Sequence, residues 1–167
     1  MAQITKEELL ARYATGERDF SGLDLRWVEL QYANLRGIIL TGAYLSDVQL
    51  FRVDLREANL SSASLIDSIL EDVDLSGADL SKSILQGTTL RRSCLEGSNF
   101  ENAILAESGM NDSCLSSVNF SGSELCEVSF TRCNFRDATV NINELRGCYL
   151  TQTLLPNGEI VTNVIQD

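Results

Sequence analysis

Histidine is absent from the 167 residues. That absence removes the usual neutral-pH general base, the Ser-His and Cys-His nucleophile pairs and the commonest metal ligand. Basic residues are scarce too. Thirteen Lys and Arg stand against 24 Asp and Glu, giving a formal charge of −11 and a pI near 4.4, which argues against binding a phosphate backbone. Proline occurs once, at Pro156. No run of about 18 apolar residues is present and no apolar stretch follows Met1, so a soluble, cytoplasmic protein with no membrane contact is expected. The five cysteines (Cys94, Cys114, Cys126, Cys133, Cys148) form no CxxC pair and have no histidine partner, so neither a zinc site nor a disulfide framework is expected. Catalytic residues, cofactors and metals are accordingly not anticipated. A composition of 44% hydrophobic and 22% charged residues fits one ordinary domain.

What is present is a period of five. From Phe20 to Leu150 every fifth residue is apolar, twenty-seven positions in succession, of which twenty are Leu. No helix or simple strand has this period. A second series two residues earlier is small or β-branched: Val28, Ala33, Ile38, Ala43, Val48, Val53, Ala58 and Ala63, continuing to Val128, Cys133 and Ala138. Each unit therefore reads small-in, polar-out, large-in, polar-out, polar-out. Inward residues two apart indicate extended backbone, and the next two residues turn the chain before the following short extended piece. A coil that turns every five residues and stacks on itself is a solenoid, stabilised by neighbour-on-neighbour stacking.

Units such as ANLRG (33–37), VDLRE (53–57), ADLSK (78–82), SNFEN (98–102) and VNFSG (118–122) resemble the A(D/N)LXX motif of the pentapeptide-repeat family. The resemblance covers about residues 18–152 without an insertion. It implies an all-β solenoid, a right-handed quadrilateral parallel β-helix of about seven coils, with four units and twenty residues per turn. At roughly 4.8 Å per coil the rod is about 32 Å long. Large and small plugs fill such a bore, so no internal ligand cavity is expected.

Three segments are expected. Residues 1–17 form an N-terminal capping helix, with Thr5 and Glu8 as a capping box, Ile4 and Leu9 as a hydrophobic staple, and Gly16 past its end. Residues 18–152 form the β-helix. Residues 153–167 form a C-terminal cap or dimerisation tail, with a turn at Pro156-Asn157-Gly158 before Ile160, Val161, Val164 and Ile165. A homodimer through that tail is one reading, supported by the resemblance.

With twenty residues per turn, positions twenty apart form columns. One runs Arg52, Asp72, Arg92, Asp112, Arg132, an alternating ladder expected to neutralise itself. Another runs Asp47, Asp67, Gly87, Glu107, Glu127, with Glu124 and Glu144 on the adjoining face. This acidic stripe is either a solvating face or a surface for a basic protein partner. Trp27, Tyr32 and Phe51 fall in the first coils and read either as a contact patch or as packing beneath the helix. Tyr44, Ile66, Ile69, Ile84 and Ile104 are the other apolar residues in outward positions. Cys94 and Cys114 stack outward, whereas Cys133 and Cys148 point inward. Two functions are open: a non-catalytic protein-binding or scaffold module and, as the family resemblance implies, a DNA-mimicking modulator of a type II topoisomerase (DNA gyrase).

Overall fold

A computed structural model describes residues 3–162. Side by side along the rod, the residue before each large plug pairs in parallel with the one twenty further on, as in Asp19↔Ile39, Asn59↔Asp79 and Asn99↔Asn119. The result is a right-handed, four-sided parallel β-helix. On one side the pairing lengthens into short strands: β1 (Glu29–Gln31), β2 (Gln49–Phe51), β3 (Ile69–Glu71), β4 (Ser129–Thr131) and β5 (Tyr149–Thr151). Elsewhere a side is long enough for one bridge only.

The corners are type II turns. The N–H of a small inward residue donates to the carbonyl of the large residue three before it, as Ala43 does to Leu40 at 3.0 Å and Ala78 to Leu75 at 2.9 Å. Such a turn needs a left-handed third residue. Every second outward position from Gly22 to Asp137 supplies it with φ between 52° and 70°, and seventeen of those twenty-four residues are not glycine. An L-residue there costs on the order of 1 kcal/mol. The same residue gains a hydrogen bond to the next coil, as Asp47 N–H does to the Ile66 carbonyl at 3.0 Å.

Inside, the large series is continuous from Phe20 to Phe135 and resumes at Leu145, Leu150 and Leu155. The small series is inward along the coil, as its spacing predicts, but its chemistry changes along the rod. Beyond Ala63 it becomes mostly hydroxylic: Ser68, Ser83, Thr88, Ser93, Ser98, Ser108, Ser113 and Ser123 are all buried. Most lose no hydrogen bond by it. Ser68, Thr88, Ser113 and Ser123 donate to the carbonyls of Leu45, Leu65, Leu90 and Phe100 one coil below, at 2.6–2.7 Å. Cys133 and Cys148 donate in the same way to Met110 and Leu125. Burial pushes both thiols up to about 12, so they stay neutral. Phe100, Phe120, Phe130 and Phe135 stack through the later coils with ring centroids 4.9–6.1 Å apart. In the first coils the leucines leave an apolar void of about 20 Å³, room for about one water.

Helix α1 (Lys6–Ala14) crosses the open N-terminal end. The Thr5 hydroxyl accepts the Glu8 N–H at 3.2 Å, and Leu9 is buried in the mouth of the bore. Gln3 pairs with Asp24, so the chain's own start adds a rung to the first coil. At the other end the regular pattern breaks at residues 142–147, where Ile142 leaves the left-handed region and Asn143, in a small-plug position, is exposed. β6 (Thr153–Leu154) and β7 (Ile160–Val161) then pair antiparallel around Pro156-Asn157-Gly158. Leu155 is buried and Val161 packs partly on the core, whereas Ile160 is 64% exposed. Val164 and Ile165 lie outside the described residues.

Candidate protein-binding surfaces

The two charged corners behave differently. On the corner following β1 to β3, the guanidinium of Arg92 meets Asp72 at 2.8 Å and Glu71 at 2.8 Å, Arg132 meets Asp112 at 2.5 Å, and Arg52 reaches Asp72 at 3.6 Å. Hydrogen bonds from Arg92 and Arg132 hold the Asp72 and Asp112 carboxyls below the usual range. These acids are spoken for.

On the neighbouring corner Asp47, Asp67, Glu107 and Glu127 are exposed, as is Glu124 on the adjoining face. All four corner acids occupy left-handed turn positions, which aim them away from the rod. Among the described residues none of the five takes part in an ion pair. Gly87 interrupts the column and lies against Asp67. A Cβ there would stand 2.3 Å from Asp67 Oδ1, so the missing side chain leaves space for that carboxylate. The glycine was visible in the sequence, but its relation to Asp67 needs the twenty-residue register.

The three aromatics do not form one patch. Trp27 heads the acidic corner, 59% exposed, with the Arg26 guanidinium 5.0 Å from its ring centre. Arg26 in turn grips Asp24 through two nitrogens and brings that carboxyl down to about 2. Tyr32 heads the ladder corner, 67% exposed, and meets half-buried Phe51 edge-on at 5.7 Å; Arg52 lies over both rings. Trp27 shares a surface groove with Gln3, Ile4, Thr5 and Lys6 at the start of α1. Trp27 and Tyr32 flank β1, and both hold left-handed backbone at φ 63° and 57°, unusual for bulky residues.

Of the other outward apolar residues, Tyr44 and Ile69 are exposed, while Ile66, Ile84 and Ile104 are half-buried between neighbouring rungs. Sequence reasoning missed Ile142 and Tyr149, exposed in the last coil; Tyr149 continues the column of Glu29, Gln49 and Ile69.

A family model described as Pentapeptide repeats matches eight copies over residues 19–56, 58–97, 83–122 and 113–141. No curated protein matches the sequence. Among solved structures the chain is similar to QnrB1, described as a plasmid-mediated fluoroquinolone resistance protein, at 17% identity and a TM-score of 0.52, covering 89% of this chain and 79% of that one. It is also similar to HetL from Nostoc sp. strain PCC 7120, a pentapeptide repeat protein involved in heterocyst differentiation regulation, at 20% identity and a TM-score of 0.36 over 95% and 100% of the two chains. Rfr23 from Cyanothece 51142 is a third, at 22% identity and a TM-score of 0.47 over 82% and 97%. With the repeats matched over most of the rod and the coil built from them, the chain belongs to the pentapeptide-repeat family.

Proposed function

We propose that the protein is a non-catalytic binding module whose acidic corner docks on a basic surface of another protein. One observation carries this reading: arginines neutralise the ladder corner, and among the described residues none pairs with Asp47, Asp67, Glu107, Glu127 or Glu124. Four rungs at about 4.8 Å spread the corner acids over about 19 Å of straight edge, which steers a complementary partner and sets its register. Chemistry on a substrate is disfavoured by the filled bore and by carboxylates set in spaced columns rather than as a pocketed pair. The test is capture of partners from native extract by the tagged protein and by the variant Asp47→Asn, Asp67→Asn, Glu107→Gln, Glu127→Gln. A partner that is lost in the variant and weakened by salt supports the reading; equal capture by both proteins removes it.

A second reading makes the partner a type II topoisomerase, DNA gyrase, with the rod in place of DNA. The straight, regularly spaced acidic edge favours it. The charge density weighs against it: −11 over about 32 Å is roughly one charge per 3 Å, against one per 1.7 Å in B-DNA. Dose-dependent inhibition of supercoiling, lost in the same variant, supports it; no effect at micromolar protein excludes it.

The exposed Ile160 on the terminal hairpin supports self-association through the C-terminal tail. Light scattering that gives a dimer mass for the parent and a monomer mass for Ile160→Asp supports the dimer, and equal masses for the two proteins reject it.

A further inference from the structure

Cys94 and Cys114 occupy the same position in successive coils, in a column that continues Asp54 and Asp74, and their backbones pair in parallel register. In-register parallel neighbours point the same way and stand about 4.8 Å apart. Both are half-exposed. A disulfide needs Cβ atoms about 3.8 Å apart and sulfurs about 2.05 Å apart, closer than this register places them. At the zinc–thiolate length of about 2.3 Å, two metal–sulfur bonds laid end to end span about 4.6 Å, so a metal rather than a direct S–S bond suits one rung.

The hydroxyls around the pair suit thiolates. Ser76 Oγ lies 3.1 Å from Cys94 Sγ and 2.6 Å from Asp74 Oδ1, and Ser116 Oγ lies 3.1 Å from Cys114 Sγ. Ser76 Oγ carries one proton, which reaches either Asp74 Oδ1 or Cys94 Sγ; turned to Asp74 it leaves the sulfur without that donor. Turned the other way, it donates to a thiolate. Cys126 has no such companion, because one coil away stand Ala106 and Arg146. Cys133 and Cys148 are buried, with their thiols already donating to carbonyls.

We propose that Cys94 and Cys114 form a two-coordinate site for a thiophilic monovalent cation of the copper(I) class. Thiolates select such soft ions. Each thiol releases its proton to solvent, two sulfur–copper bonds form, and no electron moves, so the metal stays monovalent. The bis-thiolate complex carries one net negative charge; Arg56 on that side of the rod is already held by Asp54 at 2.6 Å and reaches Asp74 at 3.6 Å, so solvent screens the added charge.

The experiment titrates the reduced full chain with copper(I) supplied as its bicinchoninate complex, without oxygen. One ion per chain is expected, with at least tenfold weaker uptake in Cys94→Ser and in Cys114→Ser and unchanged uptake in Cys126→Ser. Bound copper should shield two thiols per chain from iodoacetamide, counted by mass. Circular dichroism of the serine variants checks that the coil persists. No uptake by the parent chain, undiminished uptake by either serine variant, or copper held between two chains through Cys126 would each overturn the proposal.

Discussion

The bore has two halves built from different materials. Up to Leu65 the small plugs are aliphatic, the large ones after Phe20 are all leucine, and Leu30 to Leu55 retain 2–6% exposure around a narrow void. From Ser68 onward the small plugs are mostly hydroxyls and thiols bonded to the coil below, phenylalanines enter the large series, and Leu85 to Phe120 are 0% exposed. Beyond the backbone bonds that join coils in both halves, the plugs of the aliphatic half contribute apolar area alone. The hydroxylic half adds directional bonds between coils and tighter filling. A polar residue thus serves as a core residue wherever a carbonyl of the preceding coil lies within its reach.

The largest effect that sharpens this contrast is expected at Phe120, stacked between Phe100 and Phe130: Phe120→Ala should cost about 4 kcal/mol in urea unfolding, and Leu45→Ala beside the void about 3 kcal/mol. A loss at Leu45 as large as at the bulkier Phe120 would mean that the first half packs at least as tightly as the second. Next, Ser113→Ala should cost about 1 kcal/mol by removing the bond to Leu90, whereas Ser108→Ala should gain about as much, because the Ser108 hydroxyl is buried with no partner. A loss at both serines would show that Ser108 is bonded in solution. Ala63→Ser carries the hydroxylic design into the aliphatic half, where the Leu40 carbonyl stands in the corresponding place one coil below. Its stability should stay within about 0.5 kcal/mol of the parent, and a loss above about 2 kcal/mol would show that the carbonyl is out of reach.

The smallest effect is on the surface. Arginine contacts depress the Asp24, Asp72 and Asp112 carboxyls, Asp24 from 3.8 to about 2. A depressed folded-state value stabilises the fold above the unfolded value and loses that contribution as pH falls through the folded one. Stability should therefore decline between about pH 4 and pH 2. Arg132→Gln, which frees Asp112, should raise the acid midpoint slightly, and an unmoved midpoint would make the ladder irrelevant to acid stability.

Much of this was legible in the sequence. The large series announced itself because hydropathy reads Leu and Phe directly, and the twenty-residue columns followed from four units per turn. The period puts Ser93 and Ser113 inward, but the bonds that make hydroxyls acceptable there were not legible, since each reaches a carbonyl 23 residues earlier. The left-handed corner was half-written: Gly22, Gly37 and Gly42 signal it, but Trp27, Tyr32 and Arg52 adopt the same backbone and mask the rule. The acidic column could be enumerated from the sequence. Its lack of arginine partners required knowing which corner each arginine faces.

The two lengths in this architecture, five and twenty, carry different information for the protein's lineage. Losing or gaining one five-residue unit leaves every plug in register, so the coil survives, yet everything after it swings round by a quarter turn. Asp47 and Asp67 would then stand on a different edge from Glu107 and Glu127. Losing or gaining twenty residues shortens or lengthens the rod and leaves its edges aligned. Duplication in single units can thus reshuffle surfaces without endangering the fold, while duplication in fours extends a surface already in use.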